Sequence, residues 1–478
     1  MSERFTFVLD DRELASSPAS TLIGPRAFGG IVFRRSTLAG RVSDALKAAG
    51  GVDFVHARSD AEYLAALAAT AREGSWCVIW HASAVARSRE AFLALLARLR
   101  LAEQQVRVGA RRTLAVVGPG LVLQQTALDP WGLTRDWPVL DVDDGLVDLT
   151  DYREALRFLS GGFEARHFNN VSADDATVTK RSQDIAKISA EHDFYYLLPD
   201  TLRSWFVAPT NLTVGEGWAS YQMPRHYVPD AALQWIHGAL SPEDFERLLD
   251  ATFAFLDARP VRGVSVREVG AAVDALYLTK VEQRIAALEA TPQSARLNGL
   301  LQFGTRERSL RDLVARYHAH FTRHRAALCE PAALAIGHGD LCFSNMLYDA
   351  DNGQLRLIDP RGARTEAELW THAGYDLAKL SHSVLGDYDW ITSGRYRVAM
   401  DDDRSLGIHL IDGNTALAPR KQAFVTRIEQ RGIDPRVLRT CEASLFLSML
   451  PLHSEHPNKL LALTLNVARI LDELDANA

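Results

Sequence analysis

The stretch IGHGDLCFSNMLYDADNGQLRLIDPRG, residues 336–362, places three small oxygen-bearing side chains, Asp340, Asn345 and Asp359, around one predicted hairpin. Asn352-Gly353 marks its turn, because both central positions of a type I′ turn need positive φ. With NMLYD and QLRLID as the two strands, Asn345 and Asp359 fall opposite one another to within a residue, and Asp340 lies in the loop entering the ribbon. Hard oxygen ligands from a loop and two strand ends suit Mg²⁺, which takes few protein ligands and completes its shell with phosphate and water. Turn chemistry alone asks for neither Asp340 nor Asp359, nor for the His338-Gly339 lead-in.

The spacing itself is distinctive. His338-Gly339-Asp340 is followed by four residues and Asn345, then by Asp359-Pro360-Arg361-Gly362. This resembles the H-G-D-x-x-x-x-N…D pattern of the aminoglycoside phosphotransferase and choline kinase family, which shares the protein-kinase fold. The resemblance implies that Asp340 is the catalytic base, that Asn345 and Asp359 bind Mg²⁺, that His338 braces the loop and that ATP is the phosphoryl donor. Where the family often has an aromatic residue after the second aspartate, this chain has Pro360.

Such a site needs an upstream lysine on a strand and a glutamate on a helix to hold it. The β-branched run TVTK ends in Lys180, and Asp184 can cap a helix whose inner stripe is Ile185, Ile188, Glu191, Tyr195 and Leu198. Glu191 is a carboxylate on that stripe. Buried without a partner it would be costly, so Lys180 is its expected cation. Gly161 and Gly162 either let main-chain N–H groups approach phosphates or make only a turn. The hinge is expected near SYQMPRH, with main-chain groups around Met223 facing adenine. In GYDLAKLSHSV, Asp376 and Lys379 share a helix. Family members often carry an aspartate here that buttresses the catalytic loop; a solvated helix face is the alternative. Arg361 can meet a phosphate or a substrate acid, or form a structural ion pair. His237 and His372 read as local hydrogen-bond partners.

The rest of the chain must position these groups. At 478 residues it exceeds one compact core. Three regions are expected: residues 1–150, an α/β domain with a mostly parallel sheet; 151–235, a kinase-like N-lobe; and 236–478, a helical C-lobe carrying the catalytic loop. In the first region FTFVLD, GGIVFRR, VDFVHA, WCVIWHAS and TLAVVGPG read as strands. STLAGRVSDALKAAG, SDAEYLAALAATAREG and SREAFLALLARLRLAEQQ read as helices between them, and this alternation implies helices packed on a sheet. The net charge of -7 gives no general pull toward nucleic acid or anionic membrane. Four scattered cysteines, the absence of a signal-like N-terminus and the absence of a membrane-length apolar run point to a cytoplasmic protein.

The combined pattern from about residue 160 to 460, including HGDLCFSN and CEASLFLSMLPLH, resembles phosphotransferase-like proteins of bacterial capsule and surface-glycan gene clusters. That resemblance implies a nucleotidyltransferase-like first domain. Its Gly-rich, basic signature is reduced here to GPRAFGG, and the acidic DVDD (Asp141 to Asp144) comes late, so the domain is expected to be catalytically degenerate and to present substrate or mediate homo-oligomers. The expected activity is ATP- and Mg²⁺-dependent transfer to a small-molecule hydroxyl, a sugar or surface-glycan precursor. The alternative from another class is a nucleotide-binding scaffold without turnover.

Overall fold

The computed structural model describes residues 5–16, 18–33, 35–109, 112–140, 142, 145–160, 169–400, 405–411 and 414–476. The chain divides into two compact units. The first comprises Met1–Glu164 with His237–Ala239, and the second Ala165–Ile236 with Leu240–Ala478.

The first unit is built on β1 (Phe5–Asp10), α1 (Leu38–Ala49), β2 (Val52–Ala57), α2 (Asp60–Thr70), β3 (Trp76–His81), α3 (Arg89–Arg100), β4 (Val106–Val108), β5 (Ala115–Pro119) and β6 (Val139–Leu140). The sheet order is β2-β1-β3-β5-β4-β6. β2, β1 and β3 are parallel, whereas β5 runs antiparallel to both β3 and β4. The sheet is therefore mixed. A parallel pair needs a crossover of a dozen or more residues, and the link from Val108 to Ala115 is too short for one. Val8, Leu67, Ile79 and Val116 form its core. Ser59 and Ser88 cap α2 and α3, while α1 starts at Leu38 on a Thr37 cap.

The GGIVFRR run does not join this sheet. Among the described residues Val32–Phe33 pairs only with Ser36–Thr37, and Ile31 O accepts the Leu38 N–H. At the carboxyl end of β1 lie Asp10 and Asp11, a pair the sequence reading passed over. Arg12 binds both oxygens of Asp10, at 2.8 and 2.9 Å. Asp11 accepts the Gly29 N–H and meets His56 Nε2, each at 2.8 Å.

The second unit opens with β7 (Asn169–Ala173), β8 (Thr177–Ser182), α4 (Ile185–Leu197), β9 (Thr210–Gly215) and β10 (Trp218–Pro224). The four strands form an antiparallel sheet in the order β7-β8-β10-β9. Asp174 folds the β7–β8 turn by accepting the N–H groups of Ala176 and Thr177. Ile188 of α4 packs on Ala219, Tyr221 and Met223 of β10. Thereafter helices dominate: α5 (Pro242–Ala258), α6 (Leu310–Leu328), α7 (Tyr375–Val384), α8 (Pro435–Met449) and α9 (Pro457–Ala476). Among them run a small antiparallel sheet, β11 (Val261–Gly263), β12 (Ala333–Ile336) and β15 (Trp370–His372), and the hairpin of β13 (Met346–Asp349) and β14 (Gln354–Leu357). The four cysteines are buried and unpaired. No helix among the described residues is long and apolar enough to cross a membrane.

His372, at the end of β15, reports on this packing. Its Nε2–H donates to Leu328 O at 2.9 Å and its Nδ1 accepts the Tyr277 hydroxyl at 3.0 Å, so the ring is neutral. Burial holds its pKa down to about 4. An unfolded histidine titrates near 6.5. The folded state therefore binds fewer protons, and the contribution is complete above pH 6.5 and lost as pH falls toward 4, by roughly 3 kcal/mol in total. His372→Gln should show a shallower fall in urea midpoint between pH 6.5 and 4 than the native chain. Parallel profiles would place the titration elsewhere.

Candidate active site

The loop from Gly337 to Asn345 leaves β12 and is tied down at every turn. Gly339 adopts φ +78°, and a Cβ there would lie 2.5 Å from Arg361 Cβ, so the backbone accepts only glycine without rearrangement. The Asp340 N–H donates to His338 Nδ1 at 3.1 Å, and His338 Nε2–H donates to Ile358 O at 2.9 Å. Those two bonds fix the neutral tautomer. Burial lowers the His338 pKa, and its ring stacks on Phe206 with centroids 5.7 Å apart. His338 thus links the Asp340 loop to the segment that delivers Asp359. The Arg361 N–H donating to His338 O at 2.9 Å makes a second link.

The hairpin differs from the expected turn. Its ladder pairs Met346 with Leu357 and Asp349 with Gln354, leaving a four-residue loop, 350–353. Asn352 is not at positive φ; only Gly353 is, at +64°. Asp349 Oδ1 nucleates the loop by accepting the N–H groups of Asp351 and Asn352, which removes the need for a two-residue turn. Asn345 comes opposite Ile358, whose N–H donates to Asn345 O at 3.0 Å, and Asp359 follows. Asp359 leaves the strand at φ +57°. That left-handed conformation costs a non-glycine residue about 1 kcal/mol, and it turns the carboxylate off the ladder.

Lys180 and Glu191 meet as their residue types require. Lys180 Nζ lies 2.6 Å from Glu191 Oε2 and 2.7 Å from Asp359 Oδ1. Lys180 and Glu191 are buried, whereas the Asp359 side chain is 41% exposed. Burial would lower the Lys180 pKa, but the two carboxylates outweigh it and the ammonium is held above its ordinary range. Burial pushes the Glu191 carboxyl up and Lys180 opposes this. The Tyr221 hydroxyl donates to Glu191 Oε2 at 3.2 Å, its phenol raised well above the usual range by burial and then by Asp359 and Glu191. Ile188, Glu191, Phe194 and Leu198 are buried, while Ile185 and Tyr195 are half-buried, so Phe194 belongs to the inner stripe that the sequence reading drew without it. Gly362, at φ +89°, lets the post-Asp359 segment pass α4, since a Cβ would come 2.9 Å from Glu191 N.

One face of α7 carries the loop. Asp376 has no exposure, and its Oδ2 and Oδ1 accept the N–H groups of His338 and Gly339, both at 2.8 Å. Arg259 donates to Asp376 Oδ2 at 3.0 Å. One turn on, Lys379 Nζ lies 2.8 Å from Asp340 Oδ1, and Ser383 Oγ accepts the Phe343 N–H at 3.0 Å. Burial would lower the Lys379 pKa, but Asp340, with Tyr375 and Cys342, outweighs it and the ammonium is held above its ordinary range. The alternative of a solvated helix face for Asp376 and Lys379 is thereby excluded.

Met223 requires a correction. It pairs with Val178 inside the β8–β10 ladder, and Arg225 N donates to Ala176 O two residues on, so the main chain of Met223 is turned toward β8. Its side chain instead lines a small cavity with Glu191, Phe194, Phe206, Tyr221 and Asp359. Gly161, Gly162 and, in DVDD, Asp141, Asp143 and Asp144 lie outside the described residues. Arg361 is exposed and has no ion-pair partner among the described residues, while His237 is buried. Tyr221, Arg259, Ser383 and Phe206 were not found by sequence reasoning. Each acts across a contact between distant segments and carries no local motif.

The donor set suits a hard cation that shares its shell with phosphate. The Asn345 Nδ2 hydrogens go to Asp340 O at 2.8 Å and Asp340 Oδ2 at 3.2 Å, so the amide's donors are spent within the loop and its oxygen is the group left to act as a ligand. Among the described residues no cluster of three or more His, Cys, Asp or Glu side chains forms a closed metal cage.

The sequence matches no known protein-family profile and no curated protein. Solved structures that resemble the chain include glucosamine kinase in complex with glucosamine, ADP and inorganic phosphate, at 15% identity over 65% of this chain and 81% of that chain, TM-score 0.42. A thermostable mutant of aminoglycoside phosphotransferase APH(4)-Ia in its apo form matches at 11% identity over 66% of this chain and 98% of that chain, TM-score 0.36. Spectinomycin phosphotransferase APH(9)-Ia, in complex with ADP and spectinomycin, matches at 12% over 65% and 91%, TM-score 0.34.

Removing the buried Asp376 carboxylate leaves Arg259 and two main-chain donors uncompensated. Asp376→Ala should therefore lose about 3–5 kcal/mol of stability, measured by urea unfolding. A loss below about 1 kcal/mol, the net value of one ordinary hydrogen bond, would show that water replaces the carboxylate.

Proposed function

We propose that the second unit transfers the γ-phosphoryl group of ATP to the hydroxyl of a small molecule, a sugar or surface-glycan precursor. The observation that carries this is the Lys180 ammonium, 2.6 Å from Glu191 and 2.7 Å from Asp359, with Asp359 tied through Ile358, Asn345 and His338 to Asp340. Four chemically necessary groups from four separate segments converge, and neither packing nor solubility asks for that convergence.

In this reading Lys180, steadied by Glu191 and Tyr221, neutralises the nucleotide phosphates. Asn345 Oδ1 and Asp359 hold Mg²⁺, which supplies charge neutralisation at those phosphates when bound. The adenine edge meets the main-chain groups near Met223 that the β8–β10 ladder and the Arg225–Ala176 bond leave free. Asp340 orients the acceptor hydroxyl and takes its proton while the acceptor oxygen bonds to phosphorus and the bridging bond to ADP breaks. Because phosphoryl transfer has a loose transition state, positioning and charge account for most of the rate. A scaffold without turnover has no need of the Asp340 base beside a complete Asn345–Asp359 pair. The first unit is assigned no nucleotidyl transfer: among the described residues Asp10 is paired with Arg12 and Asp11 with His56, and at the end of β3 Glu13 meets His81 and Asp148 meets Ser83 and Arg112.

A panel of sugars and amino alcohols screened for ADP release from Mg-ATP tests the activity. Asp340→Asn should cut turnover by about 10²–10⁴ and leave nucleotide affinity within about threefold; unchanged turnover would remove Asp340 from the chemistry.

Asp359→Ala should weaken Mg-ATP by roughly tenfold or more, about 1.4 kcal/mol, and leave metal-free adenosine nearly unaffected. Thermal-shift titrations with both ligands separate the two, and equal losses would place Asp359 away from the metal.

A further inference from the structure

We propose that Lys379 is a positioning residue for the transfer: it fixes the plane of the Asp340 carboxylate and carries a positive charge to the transferring phosphoryl group. The inference rests on the assignment of Asp340 as base. The loop between Asp340 and Asn345 reads Leu341-Cys342-Phe343-Ser344 and holds no cation of its own. The structure supplies one from below. Lys379 Nζ lies 2.8 Å from Asp340 Oδ1, while Asn345 Nδ2 donates to the other oxygen at 3.2 Å, so both carboxylate oxygens are engaged and the plane cannot rotate freely.

The contact is built rather than incidental. Lys379 sits between two anchors on the same helix face, Asp376 holding the His338 and Gly339 N–H groups and Ser383 holding the Phe343 N–H. Those anchors fix the height of α7 against the loop, and Lys379 lies one turn from each. Its side chain is only 18% exposed, which limits competition from water. Asp376, the other nearby acid on α7, is already taken by Arg259 and by the loop. His382, one turn on, is kept neutral by burial between the Tyr388 and Phe446 rings, so it adds no second charge.

The chemistry gives this pair a direction. Before transfer, ammonium and carboxylate neutralise each other. As the acceptor O–H bond breaks, its proton passes to the carboxylate; the acceptor oxygen bonds to the γ-phosphorus and the bridging oxygen leaves with ADP. Asp340 is then a neutral acid, and the Lys379 charge is no longer cancelled. At 2.8 Å from Asp340 Oδ1, it lies next to the group beside which the new bond forms. The interaction is stronger in the transition state than in the ground state, so its loss falls on kcat and not on KM.

The test uses the full chain and follows ADP release from Mg-ATP, with water as acceptor and with each member of the sugar and amino-alcohol panel, alongside Mg-ADP binding by calorimetry. Lys379→Met should lower kcat by about 10²–10³ while KM for ATP and the Mg-ADP Kd stay within about twofold. Lys379→Arg should recover turnover to within about tenfold of native, since the charge returns with altered reach. Lys379→Gln keeps a donor without the charge and serves where the Met variant unfolds; it should fall near the Met level. Turnover within threefold of native in the Met or Gln variant overturns the inference, as does a kcat loss matched by an equal loss of Mg-ADP binding. Asp340→Asn is run in parallel. If it retains turnover, the base assignment fails and this inference with it; if it loses turnover while the Lys379 variants do not, only the Lys379 role fails. Absence of ADP release from the native chain with every acceptor overturns both.

Discussion

A carboxylate with no solvent exposure must have its charge met by the protein, and Asp376 meets it with the loop it supports. Its two oxygens take the N–H groups of His338 and Gly339, and Arg259 supplies the counter-charge. Each partner gains from the arrangement: the loop's donors, cut off from water, find strong acceptors, and the buried ion is paired. Because the bonds go to main chain, they set the path of the loop and not the side chains on it. Asp340 then hangs from a fixed backbone, with His338 bonded backward to the Asp340 N–H and forward to Ile358 O.

From that fixed point the geometry propagates by short links. Ile358 is paired to Asn345 across the hairpin, and the left-handed turn at Asp359 swings its carboxylate to Lys180. Lys180 in turn satisfies Glu191, the single acid buried on the sheet-facing side of α4. The chain of contacts joins a strand near residue 180 to a helix near residue 380 without a long flexible side chain bearing the connection alone. Asp359 is its half-exposed member. In the proposed function it is the group that exchanges Lys180 for a ligand, while the buried Lys180–Glu191 pair stays in place.

Local chemistry was readable in advance where it depends on neighbours in sequence. Asp184, Ser59 and Ser88 cap helices because a short oxygen-bearing side chain before an apolar-periodic run satisfies the first free N–H groups. The Asp340–Asn345–Asp359 set was legible because its spacing and its His338-Gly339 lead-in go beyond what a turn requires. The Lys180–Glu191 pair was legible because a lone acid on a buried stripe demands a cation. The Asn352-Gly353 turn misled: Asp349 offered the loop two hydrogen bonds, a competing local solution that the dipeptide signal ignores. Met223 misled because strand registry, and not residue type, decides which way a main-chain group points.

By itself, then, the sequence determined which side chains could do chemistry, where several capped helices begin, and that strand-bearing regions precede a largely helical one. Only the tertiary structure decided that the first sheet is mixed, that Asp376, Lys379 and Ser383 share the face turned to the Asp340 loop, and that Tyr221 and Arg259 complete the charge pairs. The division follows from range. Caps, turns and periodicity are set by interactions within a few residues, which a sequence displays directly. The placement of a cation beside a carboxylate 39 positions away (Lys379 and Asp340), or 179 away (Lys180 and Asp359), depends on how whole elements pack and on the burial that makes an unpaired charge intolerable.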